Sequence, residues 1–140
     1  MPISARLTPR ILFVLVTCIF AFEAAAAALA PVARDEINAL MSKLEGSACE
    51  FNRNGTWYTA AEAKSHLLRK LKYLEDRGAV QSAEQFIELA ASSSSLSGQP
   101  YLVRCGDASP LSSGKWLRSQ LQIIRSYGQA RSSSFSDKRF

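Results

Sequence analysis

Apolar residues after position 30 recur at the spacing of an amphipathic helix. The positions i, i+3, i+4 and i+7 are occupied by Ile37, Leu40, Met41 and Leu44. Because an α-helix turns once every 3.6 residues, these four side chains share one face. The pattern therefore predicts a first helix over residues 31–44 that packs on a core through this face.

The next segment alternates and contains the dipeptide Asn54-Gly55. This dipeptide favours a two-residue type I′ turn, in which both central residues need positive φ. Such a turn places Phe51 opposite Tyr58 across two antiparallel strands. The sequence thus predicts a β-hairpin over residues 48–59.

Two capping boxes mark the beginnings of two further helices, Thr-Ala-Ala-Glu at residues 59–62 and Ser-Ala-Glu-Gln at residues 82–85. We expect the first of these helices to run to Arg77 and the second to be shorter. The apolar stripe expected for the first is Ala63, Leu67, Leu71 and Leu74. The buried residues expected for the second are Phe86, Ile87, Leu89 and Ala90.

The last third of the chain predicts a strand over residues 100–105, a loop over residues 106–114 and a helix over residues 113–127. The core positions expected for that helix are Trp116, Leu117, Gln120, Leu121 and Ile124. Gly128 is expected to end the helix. Residues 129–140 lack periodicity and are expected to form a disordered tail. The predicted fold class is α+β: one small domain of about four helices packed on a short antiparallel sheet, formed by the hairpin and one more strand.

The beginning of the chain has the pattern of a secretory signal. Arg6 and Arg10 precede the apolar stretch at residues 11–22, and small residues at 24–30 suit signal-peptidase cleavage. We therefore expect a signal peptide at residues 1–28, a domain at residues 29–128, and a periplasmic or secreted location. The alternatives are an uncleaved membrane anchor and a lipoprotein acylated at Cys18.

Two cysteines remain after cleavage, Cys49 and Cys105. An exported domain meets oxidising conditions, so a disulfide between them is the expected state. In each predicted strand the cysteine shares parity with apolar residues, Phe51 in the first and Val103 in the second. Free or redox-active thiols are the alternative, although no C-x-x-C spacing supports redox chemistry.

Charge and composition narrow the function classes. The whole chain carries a formal charge of +5, and loss of Arg6, Arg10 and Glu23 with the leader leaves 15 basic and 11 acidic residues, a net charge of +4. This mild excess, without basic-aromatic motifs, argues against nucleic-acid binding. One histidine and two paired cysteines also argue against a metal site, and no cofactor motif is present.

His66 is the single histidine, and it lies four residues from both Glu62 and Lys70 on one predicted helix. This edge could hold an anion or carry a general base, or His66 could be structural and bond a neighbouring loop. A serine hydrolase would need a serine and an acid to meet His66, but no G-x-S-x-G elbow is present. No residue is therefore assigned a catalytic role.

Several spaced motifs occur in one order along the chain: F-x-R-N-G, A-x-x-H-L-x-x-K, A-E-x-F-I and S-S-x-S-G-x-P-Y, within residues 51–71 and 82–103. Together they resemble the YfeK-like family of small exported bacterial proteins, a domain of unknown function. The resemblance implies export and one small domain, and it carries no catalytic assignment.

The resemblance also implies a recurring polar set, offered as a binding-site hypothesis: Arg53, Asn54, His66, Lys70, Ser95, Ser97 and Tyr101. In one hypothesis the serine-glycine loop meets the His66–Lys70 edge, and the loop amides complete an electropositive pocket. In the other these residues form an internal polar lock, in which Ser95 and Ser97 satisfy a helix end and His66 bonds a loop carbonyl.

The function expected from all of this is a non-catalytic periplasmic binding or interaction module. The partner is unknown, and an anionic ligand or an envelope protein would suit the site. Neither a cofactor nor a nucleic-acid partner is expected, and contact with a membrane is expected only through an uncleaved leader. The alternative is a small hydrolase or transferase that uses His66 with a loop serine.

Overall fold

A four-stranded antiparallel sheet packs one face against four helices in the computed structural model, which describes residues 28–136. The elements in chain order are α1 (Pro31–Glu45), β1 (Glu50–Arg53), β2 (Thr56–Thr59), α2 (Ala60–Glu75), α3 (Ala83–Phe86), β3 (Leu102–Arg104), β4 (Leu111–Ser112) and α4 (Ser113–Ser136). A π-helical segment, Ile87–Ala91, continues α3. The predicted α+β class is confirmed, whereas the predicted signal peptide lies outside the described residues except for its last position.

The strands are ordered β2-β1-β3-β4 across the sheet. The hairpin register pairs Phe51 with Tyr58 and Arg53 with Thr56, as the turn predicted. Asn54, at φ 51°, supplies one of the two positive φ values that the tight turn requires.

The disulfide between Cys49 and Cys105 joins the ends of two neighbouring strands, and this prediction is confirmed. β1 and β3 pair antiparallel with Phe51 opposite Val103. Two further residues along that register bring the cysteines opposite each other, with their Cα atoms 4.3 Å apart. The bond therefore links segments that are 56 residues apart in sequence, beside the core face of the sheet.

The core lies between this sheet face and the helices. Its largest fully buried side chains are Phe86, Ile37, Leu40, Met41, Leu44, Ile87, Leu117, Val80 and Val103. The expected burial of Leu89 is wrong, because its side chain is 44% exposed. Leu89 follows the exposed Glu88 on the side of the π-helical segment that faces away from the buried Ile87 and Ala90.

Two elements differ from their predictions. The loop expected over residues 106–114 contains β4, which pairs Leu111 with Val103. A strand of two residues is too short to produce a recognisable alternation. The last helix does not end at Gly128 but continues to Ser136, so the expected tail is helical as far as that residue, and residues 137–140 lie outside the description.

Local capping explains where α2 and α3 begin. Thr59 accepts a hydrogen bond from the amide of Glu62, whose carboxylate accepts one from the Thr59 amide in return. Ser82 accepts from the amide of Gln85 at the start of α3. The capping box at residues 59–62 is thereby confirmed.

Candidate functional site

A cavity of about 430 Å³ opens between the hairpin, α2 and the residues that precede β3. The hairpin contributes Phe51, Arg53 and Tyr58, and α2 contributes the turns around His66. Tyr101 closes the third side. Because paired residues of antiparallel strands share a face, the hairpin residues all point toward α2.

Arg53 brings its positive charge into this cavity from the last position of β1. Its guanidinium carbon lies 5.3 Å from the centre of the Tyr58 ring. Its Nη1 atom lies 2.8 Å from Nδ1 and 3.0 Å from Nε2 of His66. Among the salt bridges of residues 28–136, none involves Arg53. The guanidinium is therefore held by an imidazole and an aromatic ring.

His66 is neutral at ordinary pH in this environment. Burial, together with the positive charges of Arg53, Lys70 and Arg69, lowers the pKa of His66 to about 4. The imidazole also lies edge-on to Tyr101, with 6.5 Å between the ring centres. A neutral imidazole can accept a hydrogen bond from Arg53, which an imidazolium cannot do.

Lys70 lies one helical turn beyond His66 but has a different partner. Its Nζ donates a hydrogen bond to the carbonyl oxygen of Ala90 over 2.8 Å. It also lies 5.4 Å from the centre of the Tyr101 ring. Burial lowers the pKa of Lys70, and the positive charge of Arg53 contributes a smaller effect in the same direction. The last carbonyls of a helix lack internal partners and favour a cation, so Lys70 closes the end of the π-helical segment behind Tyr101.

The serine-rich loop is organised around Ser94, which is buried. Its hydroxyl accepts hydrogen bonds from the amides of Leu96 and Ser97 over 3.4 and 3.3 Å. The Ser97 hydroxyl in turn donates to Oδ1 of Asn54 over 2.8 Å. The loop is therefore a folded turn that is fastened to the tip of the hairpin.

The structure divides the seven residues of the sequence hypothesis into groups. The three that line the cavity are Arg53, His66 and Tyr101. Lys70 is not a lining residue, but its Nζ lies 5.4 Å from the centre of the Tyr101 ring. The other three are Asn54, Ser95 and Ser97, which are exposed and do not line it.

Both sequence hypotheses need correction in their details. Loop amides do not complete the cavity; the ring of Tyr101 stands there instead. The lock expected a loop carbonyl at His66, but the imidazole meets Arg53, and the helix-end carbonyl is taken by Lys70. The hypothesis had Ser95 and Ser97 satisfy the helix end, whereas the hydroxyl of Ser92 donates to the carbonyl of Ile87 there, and Ser94 orders the loop.

Sequence reasoning missed several lining residues. Tyr58 could have been found, because the predicted register already placed it opposite Phe51. Arg69 lies next to Lys70 and lines the cavity mouth with an exposed side chain. Ser113 had no sequence signal, since its position depends on the hydrogen bond from its amide to the Tyr101 carbonyl.

The described part of the chain lacks two other kinds of feature. Across residues 28–136 there is no group of three His, Cys, Asp or Glu side chains that could hold a metal ion. Over the same range, none of the helices has the length and apolar character needed to cross a membrane.

Comparison with known proteins places the domain in a family. The model of a family of unknown function (DUF5329) matches residues 31–125, which include both disulfide cysteines and the whole cavity. The chain belongs to the DUF5329 family. This DUF5329 protein is also 44% identical over 66 residues to the uncharacterized protein YfeK of Salmonella typhimurium, a match that covers 46% of this chain and 53% of that relative. The resemblance to YfeK is confirmed, over about half the length of the relative.

No solved structure matches this DUF5329 protein.

Proposed function

We propose that this DUF5329 protein is an exported, non-catalytic binding module that holds a small anion in the cavity beside Arg53. The observation that carries the proposal is the guanidinium of Arg53, which faces the cavity without a carboxylate partner among the described residues. A half-buried cation without a counter-charge attracts an anion more strongly than a solvated one, because the local dielectric is lower than that of water.

The neighbours of Arg53 support a binding role. A protonated His66 would repel the guanidinium, whereas the lowered pKa of His66 keeps the ring neutral and able to accept a hydrogen bond. Tyr58 and Tyr101 supply flat aromatic walls on two sides. Pockets of this type, apolar with a few convergent polar groups, are the usual form of small-molecule sites.

An enzyme that uses His66 with a loop serine finds no support in these contacts. In the described residues, the hydrogen-bond partner of His66 is Arg53, and the hydroxyl of Ser97 donates to Asn54 at the hairpin tip. A histidine with a pKa near 4 is also a weak base at neutral pH.

The binding proposal is tested with anilinonaphthalene sulfonate, a fluorescent probe that joins an anionic group to an aromatic body. We expect saturable fluorescence enhancement by the wild-type protein and a loss of affinity of about tenfold or more for Arg53→Gln, as for a hydrogen bond between charged groups. The matched control is Arg104→Gln, since Arg104 also stacks on an aromatic ring, Trp57, but lies on the opposite face of the sheet.

Circular dichroism must show that both variants are folded, because this probe also binds partly unfolded proteins. Equal affinity of Arg53→Gln and the wild-type protein would contradict the proposal.

Export is proposed from the leader pattern and from the type of cross-link that the domain contains. Disulfides persist in oxidising compartments and are rare in the cytosol, and the bond between Cys49 and Cys105 suits such a compartment. Intact-mass measurement on envelope fractions is expected to show a chain beginning within residues 24–30 and carrying two fewer hydrogens than the dithiol. A full-length chain in the cytosolic fraction would contradict export.

A further inference from the structure

The walls of the cavity determine what kind of anion would fit it. Its apolar lining is formed by Phe51, Ala61, Ala63, Leu67 and Ala91, together with the rings of Tyr58 and Tyr101. A strongly hydrated inorganic anion would leave these walls uncovered, whereas a hydrocarbon body would remove them from water at about 25 cal/mol per Å². The occupant therefore combines an anionic head with an apolar body.

The number of available charges limits the head group. Arg53 is half-buried and lines the interior, while Arg69 is exposed at the mouth. Lys70 is committed to the carbonyl of Ala90. One interior cation compensates one negative charge, so a monoanion fits better than a dianion such as a phosphate monoester.

The geometry of Arg53 favours a carboxylate. Its Nη1 faces His66, and the remaining donors of the planar guanidinium can form the paired hydrogen bonds that match a carboxylate. The neutral imidazole adds no second positive charge. Glu62 is the carboxylate at the rim, and its Oε2 accepts hydrogen bonds from the amide and the hydroxyl of Thr59, each over 2.9 Å.

The size of the cavity limits the apolar body. At about 430 Å³, it lies in the lower part of the range of roughly 300–1,000 Å³ found for small-molecule pockets. A medium-length alkyl chain or a one- to two-ring body suits this volume, and a complete two-chain lipid does not.

We propose that the ligand class of this site is the amphipathic monocarboxylates, with the carboxylate on Arg53 and the apolar body between Phe51, Leu67 and the two tyrosines. This inference rests on the proposed function. It predicts that affinity rises with the apolar body and depends on a single negative charge.

Isothermal titration at pH 7 tests the inference with decanoate, methyl decanoate, decylamine, acetate and inorganic phosphate, with the decyl probes below their critical micelle concentrations. We expect decanoate to bind, and methyl decanoate, decylamine, acetate and phosphate each to bind at least about tenfold more weakly. Arg53→Gln should reduce decanoate affinity by roughly 10- to 100-fold, as expected for the loss of a charged hydrogen-bonded pair. Arg104→Gln should retain wild-type affinity.

The Arg53→Lys variant keeps the positive charge but loses the planar group that forms paired hydrogen bonds. Its affinity for decanoate should therefore lie between those of the wild-type protein and Arg53→Gln. Phosphate binding as tight as decanoate, or methyl decanoate binding equal to decanoate, would overturn the carboxylate assignment. If anilinonaphthalene sulfonate binds through Arg53 while decanoate does not, the ligand class is wrong and the proposed function stands. If neither probe depends on Arg53, both proposals fall.

Discussion

Acidification should destabilise the domain through His66, because the folded state holds this ring neutral. The pKa of His66 is about 4 in the folded protein, whereas its ordinary value is 6.5. Between these values the unfolded chain binds more protons than the folded one. Stability therefore rises with pH across this window. The contribution is complete above about pH 6.5 and is lost as the pH falls toward 4.

The size of the effect follows from the gap between the two pKa values. A gap of about 2.5, at 1.36 kcal/mol per pKa unit, sets an upper bound of about 3 kcal/mol. The ring borders a solvent-accessible cavity, and water there screens the charges that lower its pKa. We therefore expect a loss of about 1–2 kcal/mol between pH 7.5 and pH 4.5.

Urea denaturation at these two pH values measures the loss, and the His66→Gln variant supplies the control. Glutamine can still accept a hydrogen bond from Arg53 but does not titrate. Carboxylates with lowered pKa values, such as Glu84 beside Arg125, affect both proteins equally and cancel in the comparison. A wild-type loss no larger than that of His66→Gln would refute the reasoning, as would an NMR titration that places the pKa of the single histidine near 6.5.

Three further predictions concern the frame around the site. Replacing Cys49 and Cys105 together by alanine should lower the free energy of unfolding by about 4 kcal/mol, because the disulfide restricts an unfolded chain over a separation of 56 residues. Urea denaturation measures the change, and a loss below about 1 kcal/mol would contradict this prediction. Lys70→Met should lower the free energy of unfolding by about 1–3 kcal/mol, because it leaves the carbonyl of Ala90 without its hydrogen bond. The control Lys72→Met, at an exposed position, should change this free energy by no more than about 0.5 kcal/mol. Equal thermal midpoints of the two variants would contradict the capping role of Lys70. Gly128→Ala should stabilise the protein by about 0.5–1 kcal/mol, because α4 continues past this position and a methyl group meets open space there. Destabilisation of this variant in thermal melts would instead indicate that the helix ends at Gly128.

Local signals in the sequence were sufficient to predict most of the secondary structure and the disulfide. Asn54 and its following glycine set the hairpin register, because few turns accept two positive φ values. The parity of each cysteine with its apolar neighbours then indicated the sheet face on which the disulfide lies. The hairpin depends on residues within a few positions of one another, and the pairing of the two distant strands depends on one long-range constraint, the disulfide.

The cavity was less predictable because it depends on how distant segments meet. Helical spacing grouped His66 with Lys70, but it could not show that the Tyr101 ring borders both of them. The π-helical segment also has no distinctive sequence pattern here, and it is this segment that presents the carbonyl of Ala90 to Lys70. Three residues of the hypothesis, Arg53, His66 and Tyr101, therefore line the cavity, whereas the serine-rich loop expected as one of its walls does not.

The location of the bound probe is the most direct test of the account. Backbone amide shifts recorded during titration with anilinonaphthalene sulfonate should change most at Arg53, Tyr58, His66 and Tyr101, which line the cavity. They should change little at Trp57 and Arg104, on the far face of the sheet. Changes centred on that far face, with the cavity residues unaffected, would contradict the claim that this domain holds anions beside Arg53.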